Sequence, residues 1–173
     1  MPYSMSQAAV PVFEIGLTAL SNVLDKAAAF AAAKKVDPKV LAQSRLAPDM
    51  FALTRQVQIA CDQAKNGLSR LAGVEIPRYE DDEATLDDLK ARIAKTLTYV
   101  KTLDKKAIDG ATDREITFPL GPKKGEMKGD DYLTHFMLPN FYFHCATAYD
   151  ILRHAGVDVG KQDFLGAIPI KVT

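Results

Sequence analysis

The chain has no tryptophan, two cysteines and three histidines in 173 residues, and its charges cancel. Each scarcity closes off a class of function. Two cysteines in a chain of this length, Cys61 and Cys145, cannot make the disulfide framework of a small secreted domain. Both sit among apolar residues of predicted helices and read as buried free thiols. Lys+Arg and Asp+Glu number 22 each, so no net positive field draws in nucleic acid or an anionic membrane. The basic pairs Lys34-Lys35, Lys105-Lys106 and Lys123-Lys124 have acidic neighbours and read as solvated faces. No apolar run reaches the roughly 18–20 residues of a membrane span. The first residues show neither a basic segment nor a cleavage-site pattern. The expectation is a cytoplasmic protein with neither nucleic acid nor membrane as partner. GxSxG, Walker, Rossmann and CxxC motifs are all missing. The run Glu80-Asp81-Asp82-Glu83 lacks the glycine and spacing of an EF-hand and reads as a solvated connector.

What is present is helical periodicity. At 47% hydrophobic and 25% charged, residues 1–173 suit one globular domain. Apolar residues at three- and four-residue steps predict long helices over 6–34, 50–72, 86–104 and 130–155. Pro11 should lie in the first turns of the first helix or kink it. Asp37-Pro38 introduces a short helix. Asp49 is a plausible N-cap for the second long helix, which Gly73 ends. Thr85 with Asp88 resembles a capping box for the third. Asp130 or Asp131 should open the fourth, and His154 suits the negative end of its dipole. Between the last two helices, 113–128 alternates and then supplies glycine and proline, which predicts a short β-hairpin. The tail reads as loop or packed coil. The fold class is therefore all-α, a four-helix bundle with one hairpin before the last long helix.

Polar residues interrupt two of the apolar stripes. In the last helix the stripe runs Leu133, Phe136, Met137, Asn140, His144, Thr147, Ile151, apolar at both ends and polar in the middle. In the second, Gln56 breaks the stripe of Leu53, Val57, Ala60, Ala64, Gly67, Leu68 and Leu71. Buried amides and imidazoles are costly unless hydrogen-bonded or bound to something. Gln56, Asn140 and His144 should therefore converge on one polar pocket, and they are the candidate ligand-binding residues. Three readings of the set stay open: mutual or water-mediated satisfaction, a small-molecule pocket, and a metal site with His144 as its only strong ligand. A three-histidine metal site is excluded, because His135, His144 and His154 stand roughly 13 and 15 Å apart along a helix. Cys145 follows His144 directly and diverges from it by about 100°, so the two make no nucleophile pair. The dense aromatics Tyr132, Phe136, Phe141, Tyr142, Phe143 and Tyr149 read as core and interface packing. The surplus of aromatic and alanine residues on the first and last helices predicts a homodimer.

The segment HCATAYDILRHAGV resembles the last helix of DinB/YfiT-like bundles, in which a histidine precedes by nine residues the arginine of an L-R-x-x-G ending; here these are His144 and Arg153. Metal-binding members of that superfamily use a histidine on the second helix and an HxxxH pair on the last. That resemblance puts Gln56, Asn140 and His144 at the ligand positions, with two of the three histidines replaced. More closely, MSQAAVPVFEIGLTALSNVLDKA, RLAPDMFALTRQVQIACDQAK, RLAGVEIPRYED, DREITFPLG and HFMLPNFYFHCATAYDILRHAGVDVGKQDFLG resemble DUF1993, an uncharacterised DinB-like family catalogued as a domain of unknown function. The resemblance implies a DinB-like bundle with a degenerate metal site. The expected function is a small-molecule-binding or structural protein with no cofactor; the alternative is a metal- or thiol-dependent transferase or hydrolase of the DinB-like type. No catalytic residue is identified.

Overall fold

A computed structural model describes residues 3–171. Helix α1 (Met5–Lys34) opens on a capping box, with Ser4 Oγ accepting from the Gln7 amide while the Gln7 side chain accepts from the Ser4 amide. Pro11 lies inside α1 and has no N–H for the carbonyl of Gln7 four residues back; the Tyr3 hydroxyl donates to that carbonyl instead, at 3.0 Å. α2 (Pro38–Gln43) starts on the side chain of Asp37. α3 (Leu53–Ala72) departs from the expected start. Asp49 is not its cap; Ala52 is, with no side-chain bond, and the Leu53 amide donates to the Ser44 carbonyl across the loop at 2.9 Å. A tertiary contact has replaced local capping there. α4 (Leu86–Val100) has the expected Thr85–Asp88 box but stops earlier than its apolar pattern, and a separate short helix α5 (Lys105–Asp109) follows. Strands β1 (Glu115–Leu120) and β2 (Lys123–Lys128) form the expected antiparallel hairpin, which turns at Gly121 with φ 58°.

The last long helix has three parts: α6 (Gly129–Asp131), a π-helical segment Tyr132–Met137, and α7 (Leu138–His154). Asp130 and Asp131 lie in its first turn rather than at the N-cap, which is Lys128. The Leu138 amide reaches back five residues to the Leu133 carbonyl, the wide turn that precedes Pro139. Such a π-bulge re-aims every side chain beyond it, His144 included. The tail is not coil throughout: α8 (Lys161–Leu165) packs on α1 through an Asp163–Lys26 ion pair of 2.8 Å.

Helices α3 and α1 each pack against both α4 and α7, which closes the four-helix bundle. Its centre is filled by Phe13, Leu17 and Leu24 from α1, Leu53, Leu68 and Leu71 from α3, Leu89 and Ile93 from α4, and Leu133 and Phe141 from the last helix. Phe13 and Phe141 meet edge-on with ring centres 4.9 Å apart. α3 comes close to the π segment because residue 67 is glycine; a Cβ there would overlap the Met137 side chain. By length and mean hydropathy α1 is apolar enough to cross a membrane, but it spends that apolar face on the bundle core, with Ala9, Phe13, Leu17, Leu24, Ala27 and Ala31 fully buried.

Candidate functional site

Two helices bring the candidate site together. Gln56 lies in the first turn of α3, and His144 lies in the middle of α7, antiparallel to it. Both interrupt apolar stripes, as the spacing predicts, and both are buried, at 1% and 8% exposure. His144 Nδ1 and Gln56 Oε1 are 2.7 Å apart. Gln56 Nε2 donates to the carbonyl of Phe51 at 3.1 Å. That second bond fixes the first. A backbone carbonyl only accepts, so the amide nitrogen of Gln56 must face Phe51 and its oxygen must face the imidazole. His144 is then the donor at Nδ1, and the lone pair lies on Nε2. Nε2 makes no hydrogen bond among the described residues, and it is not one of the enclosed, unpartnered polar atoms. It keeps access to solvent.

Asn140 lies one turn before His144 on the same face, but its amide is engaged elsewhere. Nδ2 donates to the Phe136 carbonyl of its own helix at 2.7 Å. The expected three-residue cluster is thus a bonded pair, Gln56 and His144, with Asn140 alongside and tied to the backbone at the end of the π segment. Burial, and secondly the nearby charge of Arg55, push the His144 imidazole down from 6.5 to about 4. It is neutral at physiological pH.

The thiols play no part in this chemistry. Cys61 is enclosed and burial pushes it up to about 12; Cys145 is raised in the same way and lines a separate apolar cavity of about 20 Å³ with Gly16, Phe141 and Phe164. His135 is on the surface in an i, i+4 pair with Asp131 at 3.2 Å. Among the described residues no three His, Cys, Asp or Glu side chains gather as a metal set. Gln56 and Asn140 are poor ligands, and their hydrogen bonds orient them toward protein groups. These residues do not fit a metal.

Arg55 and Asp81 belong to the neighbourhood and are missed by stripe analysis. Arg55 Nη1 donates to Gln58 Oε1 at 3.1 Å and pairs with Asp81. The other oxygen of Asp81 is 3.0 Å from Arg92 Nη2. Arg92 is 4% exposed on α4 and also bonds Glu83 Oε1 at 2.8 Å, Asp62 Oδ1 at 3.0 Å and the Glu80 carbonyl at 2.9 Å. The acidic connector is therefore not simply solvated. It is a strap pinned by a buried arginine, and the ammonium groups of Lys65 and Lys95 each lie 4.1 Å from the centre of the Tyr79 ring. The signal was Arg92 itself, one residue from Ile93 and three from Leu89 on the buried face of a helix.

The model of a domain of unknown function (DUF1993) matches residues 5–165. A crystal structure of a DinB family member protein from Shewanella denitrificans is similar to this chain, with 46% identity and a TM-score of 0.88 over 95% of this chain and 93% of that one. No curated protein matches the chain.

Proposed function

The chain belongs to the DUF1993 family, and from that premise we propose that it is a small-molecule-binding protein of DinB-like fold whose ligand meets His144. The observation that carries this reading is the Gln56–His144 hydrogen bond, which holds a neutral imidazole with its Nε2 lone pair open. With Nδ1 held by Gln56, Nε2 is the nitrogen left for solvent or a ligand to meet. Where metal-binding relatives use histidines, Gln56 and Asn140 supply amides, which favours an organic ligand over a metal centre. The expected result of elemental analysis on untagged protein is well under one equivalent of zinc or nickel per chain. Near one equivalent, lost on His144→Ala, overturns the reading in favour of a metal-dependent transferase or hydrolase.

We also propose a cytoplasmic homodimer. Reduced, buried Cys61 and Cys145 suit a reducing compartment. Tyr142 and Phe143 project from α7 at 46% and 57% exposure, apolar area that a second copy would cover. Sedimentation equilibrium at micromolar concentration should give twice the 18.9 kDa chain mass; the chain mass itself would contradict the dimer.

A further inference from the structure

We infer that the acidic strap, residues 75–84, is a latch: it leaves its seat as one unit while the bundle stays folded, and its seating steadies the turn of α3 that carries Gln56. Residues 75–84 make no backbone–backbone hydrogen bond among the described residues. Both ends are fixed. The Val74 amide donates to the Ser69 carbonyl at 3.0 Å, and the Thr85–Asp88 box starts α4. Between those ends the strap is seated only through side chains. A segment without a backbone ladder opens at lower free energy than the core it lies on.

Two sets of ties hold the seat. Lys65 and Arg92 donate to strap carbonyls, Lys65 Nζ to Pro77 at 3.0 Å and Arg92 Nη1 to Glu80 at 2.9 Å. Lys65 is buried, with its ammonium against Pro77 and the Tyr79 ring of the strap. The second set runs to α3. Asp81 pairs with Arg55, and Glu83 Oε2 accepts from Gln58 Nε2 at 2.7 Å. Arg55 and Gln58 flank Gln56, which bonds His144. The cap of α3, Ala52, offers no side-chain bond, so this first turn is steadied from outside. The strap does so together with the carbonyls of Ser44 and Ala42, which accept from the Leu53 amide and Thr54 Oγ1. Among the strap carboxylates, Glu83 is 9% exposed and Asp81 is 43% exposed. Asp81, which joins Arg55 to Arg92, is therefore the tie that salt reaches.

Asp81→Asn in the full chain tests the latch. Reductive methylation with formaldehyde and a borane, read by mass spectrometry, measures access to Lys65, with exposed Lys123 as the reference amine. The variant should methylate Lys65 about fivefold faster than the parent, the worth of one exposed ion pair. Salt at about 1 M should speed the parent by a similar factor and the variant much less. Rates that respond neither to the substitution nor to salt overturn the latch. A thiol reagent reports the core through buried Cys145. Equal gains at Cys145 and Lys65 would mean that the whole bundle opens, which also overturns it. The link to α3 is read at the Gln56 amide, which donates to the Ala52 carbonyl at 3.1 Å. Its hydrogen exchange should quicken in Asp81→Asn; an unchanged rate beside a freed Lys65 overturns the steadying of α3. None of these readouts involves a ligand, so the latch and the small-molecule reading stand or fall separately.

Discussion

Replacing Arg92 by methionine is expected to lower the unfolding free energy by about 3 kcal/mol, the low end of the loss when one partner of a buried ion pair is removed. The size follows from what stays behind. Glu83 has a side chain only 9% exposed, with Arg92 Nη1 at 2.8 Å and Gln58 Nε2 at 2.7 Å. Without the guanidinium its charge stays buried and uncompensated. Asp62 and Asp81, at 24% and 43%, can turn to water, which keeps the loss from the top of the range. The strap has no regular backbone ladder and depends on these side-chain bonds. Urea unfolding of the variant measures the effect, and the double variant Arg92→Met with Glu83→Gln should recover part of it by removing the stranded charge. A loss below about 1 kcal/mol would mean that the strap is only a surface ion-pair network.

Acidification should weaken the fold through His144 by about 3 kcal/mol, the linkage value of a shift from 6.5 to about 4. The sign follows from proton uptake. Between those two values the unfolded chain binds a proton at this imidazole that the folded chain refuses, so stability rises with pH across the window. The contribution is complete above about 6.5 and is lost as pH falls toward 4. Burial is the first cause and the charge of Arg55 the second. Unfolding free energies of the protein and of His144→Leu, compared from pH 7 to 4, isolate the term, since the variant lacks this slope while keeping the carboxylates. Parallel curves would show that His144 titrates alike in both states.

The bundle was legible because its signals are local. The stripes of α1, α3, α4 and α7 repeat at helical spacing, the Thr85–Asp88 box is within four residues, and the hairpin alternates. The same locality explains the errors. Asp49 has the right chemistry for a cap, but the Leu53 amide takes the Ser44 carbonyl instead. The π segment has no residue pattern that separates it from α-helix. At the site, Gln56 and His144 stood out as polar breaks in apolar stripes, and the structure pairs them. Asn140 stood out equally, yet it bonds its own helix at the Phe136 carbonyl. The linkage from Arg92 through Asp81 to Arg55 joins α4, the strap and α3, and no periodicity within one helix reports it.

The central claim is that the fold presents His144 as a neutral imidazole, protonated on Nδ1 and open at Nε2. Nitrogen-15 spectra of the imidazole through a pH titration of the folded protein test it most directly. The account predicts one ring whose Nδ1 carries the proton at neutral pH and which charges only near pH 4. A His144 ring that charges near its ordinary 6.5, or that carries its neutral-state proton on Nε2, would contradict it.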